Sequence, residues 1–202
     1  MKGNFSRVLT LTLKHEGWYS NHPDDPGGST MRGVTQRTYD AYRKSMGLPP
    51  RSVKKITDDE LRNIYRRDYW DVVKGDYLPI GLDYATFDAA VNSGPRRAAK
   101  WLQRALGVPQ DGKIGPVTIA KANDLNPEDV RRAIAASVGH RFDFMQRLSH
   151  WPKFKNGWTD RISNVLDDSL AMTFEGAPAK PVAAKPSLFD AIMEIIRKVF
   201  GK

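Results

Sequence analysis

The chain has 202 residues, of which 40% are hydrophobic and 27% charged; this composition is typical of a globular protein and excludes a disordered or collagen-like chain. It contains no cysteine, so a disulfide scaffold, a thiolate zinc site and cysteine catalysis are excluded. There are 32 lysine and arginine residues against 23 acidic residues, and the net charge of +9 predicts an anionic partner: nucleic acid, a cell-wall polymer or a membrane surface.

Hydrophobic periodicity and capping signals predict a mainly α chain. A capping box at Thr57 and Glu60 starts one helix, and the pair Asn126-Pro127 starts another. The stretch 20–35 has turn composition and predicts a loop or a small β-hairpin lobe. The expected helices cover residues 5–16, 35–46, 57–73, 82–92, 94–107, 126–148 and 159–174, with a short connector at 111–116.

Glu16 is the first candidate for chemistry. At about 100° per residue it falls within the apolar stripe that begins at Phe5, at the carboxyl end of the first expected helix and just before Gly17. Burial and the negative end of the helix dipole both disfavour an ionised carboxylate there, so the pattern predicts a carboxyl that holds its proton, as a general acid must. The alternative is a helix-end residue that leans into solvent.

The loop after Glu16 carries further carboxylates. A glutamate at a helix end followed by a glycine-rich polar loop is typical of lysozyme-like enzymes, because glycoside hydrolysis needs an acid on one side of the bond and a second polar group across it. Asp24, Asp25 and Thr30 are the candidates for that second group. The alternative for both aspartates is turn formation, since Asp before Pro-Gly-Gly is an ordinary turn former.

The segment EGWYSNHPDDPGGSTMRGVT resembles the opening motif of the glycoside hydrolase family 108 muramidases, which reads Glu-Gly-Gly-aromatic, a short spacer, then Asp-Pro-Gly-Gly-x-Thr-x-x-Gly-Ile-Thr. The resemblance continues through RRDYWD and AVNSGP. The stretch AAKWLQRALGVPQDGKIGPVT resembles the predicted peptidoglycan domain that accompanies this family. The resemblance covers roughly residues 8–175. Two positions depart from the motif: Trp18 replaces the second glycine and Val34 replaces isoleucine.

The resemblance implies a lysozyme-like fold and an N-acetylmuramidase in which Glu16 is the catalytic acid. The bond cut is then the β-1,4 bond between N-acetylmuramic acid and N-acetylglucosamine of peptidoglycan. The architecture resembles a phage or prophage endolysin that causes host cell lysis. The expected alternative is a peptidoglycan-binding protein without catalysis.

The second catalytic group is open at this point. Many phage lysozymes have the spacing Glu-x8-Asp-x5-Thr, whereas here Thr30 follows Asp25 at x4. If Asp24 is used instead of Asp25, the spacing to Thr30 becomes x5, but the spacing from Glu16 becomes shorter than x8. A carboxylate separation of about 6.5–9.5 Å would indicate inversion of the anomeric carbon, and about 5–5.5 Å would indicate retention.

Aromatic and amide side chains are the candidates for sugar binding, because rings stack on the C–H faces of sugars and polar groups bind N-acetyl groups. The alternative for Trp101 and for one residue of the Tyr69–Trp70 pair is core packing. The alternative for Asn92 and Ser93 is helix capping. The candidates for substrate binding are Trp18, Tyr19, Tyr69, Trp70, Asn92 and Ser93.

No cofactor or metal is expected. The histidines are His15, His22, His140 and His150, and they lack the spacing of a metal site. No nucleophile elbow and no phosphate-binding loop occurs.

The expected domain organisation is a catalytic region at 1–94, a peptidoglycan domain at 95–175, a linker at 176–187 rich in Ala, Pro and Lys, and an amphipathic helix at 188–202. That last helix is basic and is expected to contact an anionic membrane or lipopolysaccharide; docking on the enzyme and pairing with another copy are the alternatives.

Peptidoglycan is the expected partner and the monomer the expected state. The positive charge is spread along the chain without a recognition-helix motif, so nucleic acid is not an expected partner. The amino terminus lacks the pattern of a signal peptide, which predicts a protein that stays in the host cytoplasm until a holin releases it to the cell wall.

Overall fold

The computed structural model describes residues 3–20 and 28–175 of the chain. Within that part the protein is mainly α with one small sheet, which confirms the predicted fold class. The helices are α1 (Phe5–Leu13), α2 (Gln36–Ser45), α3 (Asp58–Tyr65), α4 (Leu82–Ser93), α5 (Pro95–Leu106), α6 (Pro116–Asn123), α7 (Pro127–Gln146) and α8 (Trp151–Met172). A π-helical segment, Arg66–Trp70, continues α3, and two 3₁₀ turns cover Val53–Lys55 and Gly75–Tyr77.

The sheet has three short antiparallel strands in the order β1 (Tyr19–Ser20), β2 (Thr30–Met31) and β3 (Val34–Thr35). Tyr19 pairs with Met31, and Thr30 pairs with Thr35. The strands form the small β lobe that the turn composition of 20–35 predicts, and they lie between α1 and α2.

Local capping signals start the helices where the sequence predicts. The Thr57 hydroxyl accepts from Glu60 N at 3.3 Å, and the Glu60 carboxylate accepts from Thr57 N at 3.0 Å, which completes the capping box of α3. The Asn126 side chain accepts from Asp129 N at 2.9 Å and caps α7.

Three helices differ from the prediction, besides α3, which ends at Tyr65 and continues as the π-helical segment over part of the predicted 57–73. Helix α1 ends at Leu13 rather than at residue 16, because the amides of His15 and Glu16 bond to carbonyls three residues back and tighten the chain out of the α-helix. Helix α8 begins at Trp151, ahead of the predicted start at 159, since Pro152 is tolerated in a first helical turn.

The third difference is α6, where the sequence pattern predicts only a short connector. Pro116 lies in its first turn, and its buried side chains are Thr118 and Ala122. Its apolar residues Val117, Ile119, Ala120 and Ala122 do not share one face of the helix, so the periodic signal is weak.

Helix α4 lies at the centre of the molecule, with every residue from 82 to 90 buried. It contacts α1 on one side and α5, α7 and α8 on the others. The alanines Ala85, Ala89 and Ala90 allow these neighbours to approach closely. Two charged residues, Asp83 and Asp88, are also buried on this helix, so their partners are needed to offset the loss of water.

An aromatic cluster fills the core beneath the β lobe. The rings of Phe5, Trp70 and Phe87 lie with centroids 5.4–5.9 Å apart. A Cβ at Gly75 would collide with the Trp70 indole, so that position requires glycine. Among the residues described, we find no helix with the length and apolar character needed to cross a bilayer.

Candidate active site

Glu16 lies between the end of α1 and the start of β1, in a turn rather than in the helix itself. Its side chain is only 19% exposed, so the alternative of a solvent-facing residue does not hold. Arg161 of α8 donates from Nη1 to Oε1 of Glu16 at 2.8 Å. The burial that the pattern predicts is confirmed, whereas the contact with a guanidinium of α8 was not predicted.

Arg161 is itself held by a buried carboxylate. Its Nε and Nη2 donate to Asp88 of α4 at 3.1 and 2.8 Å, which leaves Nη1 for Glu16. Arg141 of α7 donates to the same Asp88 at 2.7 Å and, through Nη2, to Asn92 at 3.1 Å. These residues form a continuous polar network from Glu16 to Asn92, which we call the α4 charge network.

The opposite charges of this network compensate one another in a buried position. Asp88 and Arg141 are essentially inaccessible to solvent, and each needs its partner to offset the loss of hydration. Burial opposes ionisation of Asp88, but the guanidiniums of Arg141 and Arg161 outweigh it and lower the pKa of Asp88 to about 2. The carboxylate that orients Arg161 is therefore charged across the whole physiological range.

The second oxygen of Glu16 faces the tight turn between β2 and β3. Gly33 has φ +79°, and a Cβ there would lie 3.0 Å from Oε2 of Glu16 and collide with the Tyr65 hydroxyl. Tyr65 donates to the carbonyl oxygen of Arg32 at 2.9 Å and so holds the turn against α3. A side chain at position 33 would therefore crowd Oε2, and glycine leaves that space free.

Two tyrosines contribute neutral hydroxyls near Glu16. Burial, with a smaller effect of the nearby Glu16 carboxylate, raises the pKa of Tyr65. Burial also raises the pKa of Tyr69, with Asp68 and Glu16 acting in the same direction. Both side chains are therefore hydrogen-bond donors at neutral pH rather than phenolates.

Of the three candidates for the second catalytic group, only Thr30 lies among the described residues. Thr30 lies on β2, and its hydroxyl donates to the carbonyl of Gly28 at 3.3 Å. Asp24 and Asp25 lie outside the described residues, so neither aspartate is placed against Glu16. The choice among these three side chains stays a prediction.

The two aromatic residues of the β lobe are accessible to a ligand. Trp18 is 72% exposed, and the Arg32 guanidinium lies 5.3 Å from its ring centre. The Tyr19 ring lies 4.5 Å from the Lys54 ammonium. A hydrogen bond with Ser29 and the nearby Lys54 lower the pKa of Tyr19. Sugar binding by Trp18 and Tyr19 stays a prediction that their exposure allows.

Tyr69 lies beside the candidate site, whereas its neighbour Trp70 lies in the core. Tyr69 is half-buried, with its ring centroid 5.6 Å from that of Tyr65 beside Glu16. Trp70 is fully buried in the aromatic cluster, so its proposed role in substrate binding is wrong and the core-packing alternative applies. Trp101 is also a core residue, packed against Phe144.

Asn92 and Ser93 end α4 close to the charge network. The Asn92 carbonyl oxygen accepts from Arg141 and from the Ser93 hydroxyl, so Asn92 is a network residue rather than a helix cap. Ser93 borders a basic surface pocket that Arg96, Arg97 and Lys100 also line. Binding of N-acetyl groups by this pair stays a prediction.

Three residues of the candidate site could not be predicted from the motifs: Asp88, Arg141 and Arg161. One signal was present, since each is a charge within an otherwise apolar helix face. In the described ranges, no group of three or more acidic, histidine or cysteine side chains is arranged to hold a metal ion.

Comparison with known proteins gives two family matches. Residues 9–94 match the family described as Glycosyl hydrolase 108, and residues 97–163 match the one described as Predicted Peptidoglycan domain. The solved structure of Brucella abortus SagA superposes with a TM-score of 0.72 at 37% sequence identity, covering 88% of this chain and 100% of that chain. A comparison with curated protein sequences finds no match.

Proposed function

The chain belongs to the glycosyl hydrolase 108 family, and from this membership we propose that it is an N-acetylmuramidase that cuts the β-1,4 bond between N-acetylmuramic acid and N-acetylglucosamine. It is a glycoside hydrolase that acts on peptidoglycan, with a mainly α, lysozyme-like fold. The assignment as an N-acetylmuramidase requires Glu16 to be the general acid.

The observation that carries this proposal is the unequal environment of the two Glu16 oxygens. Oε1 accepts an N–H from Arg161, so the acidic proton is carried by Oε2, the oxygen next to Gly33. From Oε2 the proton passes to the glycosidic oxygen as the bond to the sugar breaks.

Arg161 stabilises the product of that proton transfer. As Glu16 loses its proton, negative charge develops on the carboxylate, and the guanidinium is already in place to interact with it. Asp88 holds the guanidinium through two hydrogen bonds, so little reorganisation accompanies the step. Glu16 lies in the segment matched at 9–94 and Arg161 in the segment matched at 97–163, so both segments contribute to this acid.

The division into a catalytic region at 1–94 and a peptidoglycan domain at 95–175 is part of the proposal, and the limits of the two family matches support it. The second catalytic group that we propose is Asp25 or Thr30. In an inverting reaction this group activates the water that attacks the anomeric carbon. The anomeric configuration of the first product, followed by NMR, distinguishes inversion from retention.

The wider role that we propose is that of a phage or prophage endolysin, held in the host cytoplasm until release to the cell wall. The net charge of +9 supports attraction to the anionic envelope. The amphipathic segment 188–202 lies outside the described residues, and its contact with anionic membrane or lipopolysaccharide stays a prediction.

A single experiment separates the muramidase from a peptidoglycan-binding protein without catalysis. Purified peptidoglycan is incubated with the wild type and with Glu16→Gln, and the products are analysed by mass spectrometry for new reducing ends. Reducing N-acetylmuramic acid ends from the wild type alone support the muramidase. Sedimentation of both proteins with the peptidoglycan, without products from either, would establish the binding protein instead.

A further inference from the structure

We propose that the first two turns of α8 carry a second sugar-binding surface, formed by Phe154 and Trp158, that holds the glycan strand beyond the bond being cut. We call these two residues the α8 platform. The proposal rests on the proposed function, with peptidoglycan as the substrate, and adds where the glycan strand continues after it leaves Glu16.

The α8 platform is a stack of two rings on the helix surface, and the ring of His150 also stacks against Phe154 with centroids 6.5 Å apart. The rings of Phe154 and Trp158 lie 5.6 Å apart with an interplanar angle of 23°. Trp158 is half-buried and contacts Trp151 at 6.1 Å, which in turn contacts Phe142 of α7 at 5.5 Å. Packing therefore holds the inner ring in place, whereas Phe154 remains 41% exposed.

The platform lies on the same face of α8 as Arg161. At about 100° per residue, Phe154 falls about 20° and Trp158 about 60° from Arg161 around the helix axis. At about 1.5 Å per residue, the two rings lie about 10 and 4.5 Å from Arg161 along the axis. Because Arg161 contacts Glu16, the platform lies on the helix face that carries this contact, toward the start of α8.

The chemistry of the platform fits a polysaccharide better than a structural role. Residues 152–157 are all exposed, so this part of α8 extends beyond the core that buries its later turns. Flat, exposed rings bind the apolar C–H faces of sugars, and a glycan strand presents such a face at each unit. The Lys153 ammonium lies 5.2 Å from the Phe154 ring centre and supplies a positive charge for the carboxylates of peptidoglycan.

The test uses the full chain and compares two substrates: purified glycan strands of many disaccharide units and a fragment of two units. Phe154→Ala is the main variant, because the side chain is exposed and its loss leaves the core intact. Tyr77→Ala is the matched control, since Tyr77 is an exposed aromatic residue beside Asn123 of α6 rather than on α8. Trp158→Leu is the second platform variant, and thermal unfolding checks that each protein is folded.

We expect Phe154→Ala and Trp158→Leu to lower kcat/KM on the long strands about five- to tenfold more than on the short fragment, mainly through KM. Tyr77→Ala keeps the wild-type ratio. Equal effects on both substrates, or no effect on either, would overturn the platform while leaving the muramidase in place.

Two further outcomes are decisive. A rise in activity of Phe154→Ala that is lost when residues 176–202 are deleted would show that the tail occupies the surface, and would overturn glycan binding there. Failure of the wild type to release any reducing ends would contradict the proposed function itself, which separates that failure from failure of the platform.

Discussion

Arg161 donates one N–H to Glu16 and two to Asp88, so a single guanidinium joins the proposed catalytic acid to a buried carboxylate on the central helix. The contact spans 145 positions of the chain and links α8 to the turn after α1. It follows that the position of Glu16 depends on Arg161 and Asp88, two residues that are themselves buried.

The first prediction concerns Arg161. Arg161→Met removes the guanidinium from Glu16 and leaves Asp88 buried with Arg141 as its remaining charged partner. We expect a loss of about 3–5 kcal/mol in the free energy of unfolding, measured by urea denaturation, because a buried charge loses a partner. Arg161→Lys keeps a charge but cannot donate to both carboxylates in the same geometry.

The lysine variant therefore separates stability from activity. We expect it to unfold closer to the wild type and to lose on the order of tenfold or more in kcat on peptidoglycan. Wild-type kcat for Arg161→Lys would contradict the role of Arg161 in stabilising the Glu16 carboxylate.

A second prediction concerns the turn at Gly33. Gly33→Ala introduces a Cβ that meets Tyr65 and Oε2 of Glu16, so we expect both stability and activity to fall, the latter by more than tenfold. Gly47→Ala is the matched control, because Gly47 also has a positive φ, of +67°, but no atom within 4 Å of the added Cβ.

Both glycine variants carry the strain of the left-handed conformation, about 1–2 kcal/mol. Only Gly33→Ala should lose activity when reducing-end release is assayed below the unfolding temperature. Similar activity of the two variants would show that the space beside Oε2 is not needed.

Third, the tryptophans of the site region should respond in opposite ways. Trp18→Ala removes an exposed ring, so we expect an unchanged unfolding midpoint and a kcat/KM on peptidoglycan lowered by roughly tenfold. Trp70→Ala empties a fully buried position and should cost about 3–5 kcal/mol in the free energy of unfolding. A Trp18→Ala enzyme with wild-type KM would remove Trp18 from the binding surface.

The fourth prediction concerns the pH dependence of stability. Burial raises the pKa of Asp83 from 3.8 to about 6, against hydrogen bonds from Asn4, Tyr84 and Gly81. The folded state therefore binds more protons than the unfolded state between about pH 4 and 6, and the free energy of unfolding falls as pH rises through that window. The full effect is about 3 kcal/mol.

Asp83→Asn isolates this effect, since it removes the titration while keeping the size of the side chain. The difference in unfolding free energy between the wild type and Asp83→Asn should change between pH 4 and 6 and be constant above pH 7. Asp88 behaves in the opposite sense: with its pKa at about 2, its contribution is present above about pH 4 and lost as pH falls toward 2. A pH-independent difference for Asp83→Asn would contradict the assignment.

Local chemistry explains which parts of the fold the sequence predicts. The capping box of Thr57 and Glu60 and the cap at Asn126 act within three residues, so their signals can be found in the sequence. The small sheet follows from the turn composition of 20–35. Glu16 was found from its place in an apolar pattern, although the helix ends before it.

The remaining features depend on contacts between distant segments. Asp88 is 73 positions from Arg161, and no periodicity indicates such a pair. Trp70 lies in a π-helical segment, where the helical repeat used to assign faces does not apply, so the pattern did not show which residue of the Tyr69–Trp70 pair faces inward.

The most direct test of the account is to give Glu16→Gln two substrates that differ in their leaving group. Departure of a sugar from peptidoglycan needs a proton, whereas departure of an acidic phenol from an aryl glycoside of the same sugars does not. We predict that Glu16→Gln loses on the order of 10²–10⁴ in rate on peptidoglycan and far less on the aryl glycoside. Equal losses on both substrates, or a wild-type rate on peptidoglycan, would contradict Glu16 as the proton donor.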